Sequence, residues 1–317
     1  MPTEQPGADS GRPGVSVVVA THNRPELLAV ALDRILAQNY DGEIECVVVF
    51  DQSSPDQSLE SLSSDRPGGH RRIRVITNHR AAGLAGARNS GVLACSHTLI
   101  AFCDDDDEWL PGKLSAQVRA MGDPQALTAV TGIIVVYEDR ESTRIPRADD
   151  LRLSELARRR VMEAHPSTVL VRREALLGPI GLVDENIPGS FGEDYDWMLR
   201  AAQAGPIVVV EEALVRVRWG QSLFSRKWQT IIDALDYLTS KHEVLRADRR
   251  GRARLRGQRA FAQAALGRTR PALADAGRAF WWSWGRERRV YVAVAVALRL
   301  VRAEKVLNAA HRRGRGI

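Results

Sequence analysis

"VSVVVATHNRPELLAVALDRILAQNYDGEIECVVVFD" (residues 15–51) sets two apolar, β-branched runs on either side of a helical repeat. The runs at 15–20 and 44–50 show almost no polar alternation, so each reads as a strand covered on both faces. Between them Leu27, Leu28, Ala31, Leu32, Ile35 and Leu36 recur at the helical interval. Pro25 sits where a first helical turn tolerates it. The same unit repeats outward. A polar stretch and a short helix lead to a third strand, "IRVITN" (73–78). "AGLAGARNSGVLACS" (82–96) is a glycine-opened helix and "TLIAFC" (98–103) a fourth strand. This alternation predicts a Rossmann-like α/β fold, a mainly parallel sheet sandwiched by helices. In such sheets ligands bind beyond the carboxyl ends of the strands. Thr21, Asn23 and Arg24 follow the first strand, Asp51 the second, and Asp104–Asp107 the fourth.

Downstream, "LTAVTGIIVV" (127–136) reads as another strand, "LRLSELARRRVM" (151–162) as a helix, and "STVLVRREAL" (167–176) as a strand joined to a helix start. "GSFGEDYDWMLRAAQAG" (189–205) opens as a loop and continues as a helix, and "IVVVEEALVRVRW" (207–219) supplies the last strands. From about Ser225 the pattern is helical: roughly 228–247, 251–267, 270–284 and 287–311, with Gly267 and Pro271 marking a helical hairpin. Three regions are expected: a disordered tail over 1–14, an α/β domain over 15–224, and a basic helical region over 225–317.

Hydrophobic residues make up 44% and charged residues 26% of 317, an ordinary globular balance. The amino-terminal stretch has no apolar core of a signal peptide. The longest apolar run, "VYVAVAVALRLV" (290–301), is short of the roughly 20 residues a membrane span needs. Three cysteines (Cys46, Cys95, Cys103) in apolar surroundings suit reduced core thiols, hence a cytoplasmic setting. Charge is divided unevenly. Residues 241–317 hold 20 Lys and Arg against 5 Asp and Glu, while residues 1–240 hold 25 against 34. A basic tail on an acidic body points to an anionic partner or to a solvated arginine-rich surface.

"AFCDDDDEWLP" (101–111) stacks five acidic residues after a strand. Asp104 and Asp106, two apart, can turn their carboxylates toward one point and hold Mg²⁺ or Mn²⁺ with a substrate diphosphate. The alternative is an acidic turn before a helix. Asp51 can accept the imide N–H of uracil or cap a turn. "GLAGARNSG" (83–91) permits close backbone approach without matching a dinucleotide or P-loop pattern, and Arg88 can reach a phosphate or form a salt bridge. In "GEDYDW" (192–197), Glu193 and Asp194 open a helix where a carboxylate serves as general base or as a cap; for Asp196 capping is expected. His165 is a lone histidine with a structural or a site role. "FWWSW" (280–284) suits a core between the tail helices, with a membrane-interface belt or a sugar-stacking surface as alternatives.

Taken in order, "VSVVVATHNRPELL", "VVVFDQSSPD", "AGLAGARNSG", "LIAFCDDDDEWLPGKL" and "GEDYDWMLRAAQAG" resemble the family 2 glycosyltransferases of the GT-A fold over roughly residues 15–222. The resemblance implies inverting transfer of a sugar from a nucleotide-diphosphate donor, usually UDP-linked, with Mg²⁺ or Mn²⁺. It places Ala20, Thr21, Asn23 and Arg24 along the nucleotide, Asp51 at the base, and Gly83 and Arg88 beside the nucleotide-sugar. Asp104–Asp105–Asp106 becomes the DxD motif, with metal on Asp104 and Asp106. Asp194 becomes the base, with Glu193, His165 and Trp219 on the acceptor side. Two departures stand out. The second strand ends Phe50–Asp51 where relatives often have two aspartates. Trp219 and Gly220 stand where they often carry a histidine, leaving a third protein ligand open.

A saccharide, lipid-linked or polymeric acceptor follows from the same resemblance. The basic helices suggest an anionic membrane and peripheral attachment to its inner face, and the tryptophan-rich tail a homo-oligomer; nucleic acid is not an expected partner. A sugar-nucleotide pyrophosphorylase would show a Gly- and Arg-rich loop with a lysine after the first strand, which "VVVATHNRPE" lacks. A binding module with a vestigial cleft would have no use for the retained acidic pairs.

Overall fold

In the computed structural model, which describes residues 11–66, 69–138, 140–219 and 227–312, the opening strand lies mid-sheet. β1 (Val15–Thr21) is followed by α1 (Pro25–Leu36) and β2 (Ile44–Phe50), then by the short β3 (Ser64–Arg66) and β4 (Gly69–Thr77). α2 (Leu84–Ala94) and β5 (Leu99–Asp104) complete the first half. β1 pairs in parallel with β2 on one side and β5 on the other, and β2 pairs in parallel with β4. The unbroken apolar runs are explained by burial on both faces. Val15, Val17 and Val19 pack with Leu28, Leu32 and Ile35 of α1, whereas Val18 faces Val92 and Ala87 of α2.

The second half contains β6 (Glu108–Trp109), α3 (Lys113–Ala120), β7 (Thr128–Tyr137), β8 (Arg140–Arg144), α4 (Leu153–Arg158), β9 (Leu170–Arg172), α5 (Arg173–Leu177), α6 (Glu193–Ala204) and β10 (Ile207–Arg218). The strand order is β3-β4-β2-β1-β5-β9-β7-β10-β6, with β8 on β7. β9 runs antiparallel between β5 and β7, so the sheet is parallel in one half and mixed in the other. The chain builds outward from β1 to β4, then returns through α2 to lay β5 on the opposite side. That reversal opens a crevice over the carboxyl ends of β1 and β5. Register sets the polar ends level: Thr21 stands opposite Phe50, and Ala20 opposite Asp104.

Several elements differ from the sequence expectation, among them the helix expected over 228–247, which breaks at His242 into two. Residues 207–218 form one strand with register shifts between Val209 and Val215, not two strands. The helix expected over 151–162 is α-helical only to Arg158, beyond which Arg160 leaves the helix to meet Asp194. The last helix is broken: Arg299 is left-handed (φ 61°), and the Leu300 N–H bonds back to the Ala295 carbonyl as in a Schellman stop.

The tail comprises α7 (Trp228–Lys241), α8 (Glu243–Ala247), α9 (Arg249–Ala265), α10 (Thr269–Ser283), α11 (Arg288–Ala297) and α12 (Ala303–Arg312). The boundary expected at 224/225 lies outside the described residues. Leu235, Leu238, Leu245 and Leu255 belong to the same core cluster as Trp197 and Leu199 of α6, so the first tail helices share the body's interior. α9, α10 and α11 form a further cluster around Phe261, Ala276 and Ala293, with Gly267 (φ 75°) turning the α9–α10 hairpin. Of the amino-terminal tail, residues 1–10 lie outside the described residues, and the Tyr40 hydroxyl donates to the Pro13 carbonyl. Among the described residues no helix is long and apolar enough to cross a membrane, and all three cysteines are buried and free.

Candidate active site

At the end of β5 each aspartate of the run meets its own partner. Arg88 Nη2 donates to Asp104 Oδ1 at 2.5 Å. Asp105 takes the Thr21 hydroxyl (2.8 Å) and Arg24 (3.2 Å), and Arg24 also donates to Asp106 (3.0 Å). Asp107 is buried, accepts from the Ser167 hydroxyl (2.5 Å), and lies 3.2 Å from His165 Nδ1. His165 Nε2 is 3.9 Å from Asp104 Oδ2. Two guanidiniums and one imidazole therefore face four carboxylates.

That leaves negative charge in excess, and the titration of the run reflects it. Burial, with the charges of Asp104 and Asp105, pushes Asp106 up to about 6. Burial and Asp104 hold Asp107 well above the ordinary carboxylate range. Burial also works to raise Asp104, but Arg88 and His165 overcome it and keep its carboxyl low. Asp104, Asp107 and His165 offer one ligand atom each, all within 4.8 Å of one another. The two carboxylate oxygens are the hard ligands that Mg²⁺ or Mn²⁺ takes, and the imidazole is the softest donor of the three. The sequence pointed to Asp104 with Asp106. Here Asp106 is turned to Arg24, and the converging set is Asp104, Asp107 and His165, which also brings the lone histidine into the site.

Across the crevice, Gly192 in the left-handed region (φ 81°) starts α6 and places two carboxylates at its amino end, where the helix dipole favours them. Arg160 pairs with Asp194 Oδ2, and the Tyr195 N–H donates to Asp194 Oδ1 at 2.7 Å. Burial would raise Asp194, but the Arg160 guanidinium outweighs it and keeps the carboxyl below its usual range. Glu193 turns inward, accepting from Arg88 Nη1 at 2.9 Å, and burial with the neighbouring Asp194 pushes it up to about 7. Arg88 thus joins the end of β5 to the start of α6 through Asp104 and Glu193. Asp196 does not cap the helix. It is fully buried and bonded to Arg200, Lys241 and His242.

At the end of β2 the Asp51 carboxylate accepts from Asn78 (2.8 Å), Gln52 (3.0 Å) and the Gly83 N–H (3.0 Å). Gly83 (φ 113°) opens α2, and a Cβ on Gly86 would lie 1.9 Å from the Ala81 carbonyl oxygen, so this turn closes only with glycine. Asn23 is left-handed (φ 54°) between His22, whose Nδ1 is 2.6 Å from the Asp51 carbonyl oxygen, and Arg24. Ala20, Thr21, Asn23 and Arg24 thereby rim the same crevice as Asp51. Trp219 lies at the sheet edge, its ring 5.0 Å from the Arg144 guanidinium. Its neighbour Arg218 donates through Nη2 to Glu108 at 3.0 Å. Gly220 lies outside the described residues.

Sequence reasoning missed Arg160 and Ser167. Arg160 sits in "ARRRV", a charge run that reads as a solvated helix face, and Ser167 in "HPST" carries no signal of its own.

Fold and crevice together define a GT-A glycosyltransferase architecture. The model of "Glycosyl transferase family 2" matches residues 16–177, and the chain belongs to that family. WfgD of Escherichia coli, a UDP-Glc:alpha-D-GlcNAc-diphosphoundecaprenol beta-1,3-glucosyltransferase, is 34% identical over 108 residues, 34% of this chain and 40% of that protein. The succinoglycan biosynthesis protein ExoO of Rhizobium meliloti (strain 1021) is 34% identical over 167 residues, 52% of this chain and 46% of that one. Both matches thus span less than half of the relative's length. Among solved structures, S. aureus TarS in complex with UDP-GlcNAc gives a TM-score of 0.57 at 15% identity, covering 95% of this chain and 92% of that chain. The mannosyltransferase PcManGT from Pyrobaculum calidifontis, in complex with GDP-Man and Mn²⁺, gives 0.55 at 17%, covering 96% and 89%. At these identities the likeness is one of fold.

Proposed function

We propose that the protein is an inverting glycosyltransferase that moves a sugar from a nucleoside-diphosphate donor, UDP-linked, to a hydroxyl of a lipid-linked saccharide. The observation that supports this most is the placement of Asp194, clamped by Arg160, next to Glu193, which Arg88 joins to Asp104 of the Asp104, Asp107 and His165 set. Asp194 Oδ1 or Oδ2 takes the proton of the attacking acceptor hydroxyl, on the face of the sugar opposite the leaving group, so the anomeric centre inverts. Arg160 keeps that base charged. Arg24, held at the crevice rim, provides a guanidinium for the donor diphosphate. Asp104, Asp107 and His165 would hold Mg²⁺ or Mn²⁺, which when bound supplies charge stabilisation to the departing diphosphate. Asp51 reads the base through its carboxylate.

The acceptor class is supported by the names of two relatives. WfgD acts on a diphosphoundecaprenol-linked GlcNAc. A Campylobacter jejuni relative, 34% identical over 110 residues, is a GalNAc(5)-diNAcBac-PP-undecaprenol beta-1,3-glucosyltransferase. The test is transfer from UDP-, GDP- and dTDP-sugars, with Mn²⁺ or with chelator, to a prenyl-diphosphate-linked saccharide, with the anomeric configuration of the product read by NMR. A product of retained configuration, or equal turnover in chelator, overturns the reading.

A further inference from the structure

The tail carries large apolar side chains that the described residues leave bare. Trp281 and Trp284 are 67% and 69% exposed, Tyr291 55% and Phe280 47%. Burial as a core between the tail helices, the default reading of "FWWSW", therefore does not hold for Trp281 and Trp284; Trp282 is half-buried with Arg252 4.9 Å above its ring. The exposed rings cluster at the α10–α11 turn, with Trp281 6.1 Å from Trp284 and Phe280 6.4 Å from Tyr291, centroid to centroid. Contiguous exposed aromatic surface of this kind marks an interaction site.

We infer that this turn is an anchor for an anionic bilayer surface, one tied by a series of contacts to the Asp194 side of the crevice. Chemistry selects the occupant. Tryptophan and tyrosine prefer the membrane–water boundary, where an apolar ring and a polar edge are both satisfied. Arginines ring the patch: Arg249 lies 4.7 Å over the Trp284 ring, and Arg286 and Arg288 are exposed in the turn itself. The one acid there, Glu287, is bonded to Arg289 at 3.0 Å. A second copy of the chain would bring the same positive charge face to face, so the patch is a poor homodimer surface but a good match for phosphate head groups.

Placement supplies the purpose. Arg249 donates to the Trp281 carbonyl at 2.9 Å; its neighbour Asp248 pairs with Arg158 at 2.9 Å; and two residues on, Arg160 clamps Asp194. A short series of contacts thus links the anchor to the candidate base. The value of this to a lipid-linked acceptor rests on the function proposed above, whereas binding to vesicles does not.

The test is flotation of the full chain with vesicles of phosphatidylcholine alone or with about one third phosphatidylglycerol, at low and high salt, with no donor or acceptor present. Wild type floats with the phosphatidylglycerol vesicles and is released near 1 M salt, where the Debye length falls to about 3 Å. Each cation near an anionic surface is worth roughly fivefold in partition, so Arg286→Glu/Arg288→Glu lowers binding about 25-fold or more. Trp281→Ser/Trp284→Ser lowers it about tenfold or more, as burial of two large rings is lost. Both variants alter exposed side chains and keep the wild-type melting temperature and donor hydrolysis. Flotation indifferent to lipid charge and salt, or unchanged in both variants, overturns the anchor. So does a wild-type dimer that the tryptophan variant dissolves while flotation stays the same. Failure of sugar transfer with normal flotation would instead strike the function and leave the anchor standing.

Discussion

Asp194 and Arg160 act as one unit, and their variants separate proton removal from positioning. Asp194→Asn is expected to keep donor binding, read by calorimetry, while turnover falls by roughly 10²–10⁴; wild-type turnover would remove Asp194 from the role of base. Since Arg160 depresses the Asp194 carboxyl, the base stays ionised well into acid. Arg160→Gln lifts that depression, so the acid limb of the kcat profile moves to higher pH; an unmoved limb would reduce Arg160 to a packing residue. The metal set has its own discriminating pair. Asp107→Asn should abolish the thermal stabilisation by Mn²⁺, which for a ligand at about 100 times its Kd is worth about 2.7 kcal/mol. Asp106→Asn should keep it; the reverse outcome returns the site to Asp104 and Asp106. At this scale the sequence singled out Asp194 and Asp51 as polar residues at a helix start and a strand end, and left His165 open between a structural and a site role. Arg160 stayed hidden, since among three consecutive arginines only tertiary contact singles out the one that turns inward.

Between elements, β2 carries a charge inside a strand that otherwise reads as apolar. Glu45 is buried, accepting from the Ser16 hydroxyl (2.7 Å), the Ser96 N–H (2.9 Å) and Arg74 (3.0 Å), and so ties β1, β4 and the start of β5 together. Burial would raise its carboxyl, but these donors prevail and bring it to about 2 from 4.5. A carboxyl depressed on folding stabilises the fold fully above its unfolded value near 4.5, and that contribution is lost as pH falls through about 2. The contribution is about 3 kcal/mol. Glu45→Gln should lower stability at neutral pH by an amount of that order and flatten the decline between pH 4.5 and 2 in urea titrations. A decline as steep as wild type would place the acid sensitivity elsewhere. The elements that sequence reading captured, β1, α1, β2, α2 and β5, are those whose periodicity is settled by burial on two faces. Short edge strands such as β6 and β8 escaped because ladder bonds, not side-chain pattern, define them.

Over the whole molecule, the helical tail is keyed into the body by charge as well as by apolar packing. Asp196 of α6 is bonded to Lys241 (2.7 Å) and His242 (2.7 Å) at the end of α7, and to Arg200 (2.9 Å). Asp196→Ala removes the acceptor these three side chains share, although Lys241 keeps Asp184 (2.6 Å) and Arg200 keeps the Gly181 carbonyl (3.2 Å), and should cost about 1–3 kcal/mol. Calorimetry should then show one transition at a lower temperature; two separated transitions would mean that tail and body unfold independently. The uneven charge of the chain was plain from composition, but this docking was not, because Leu235 and Leu238 look like the apolar stripe of any surface helix. Three successive residues of one helical turn are secured by three different parts of the chain. Asp194 is held by Arg160, Tyr195 by Arg254 of α9 at 2.7 Å, and Asp196 by the end of α7. Recombination between relatives therefore has no neutral crossover point just after the sheet. A chimaera with a borrowed carboxy-terminal half inherits a loosened first turn of α6 even if both halves fold.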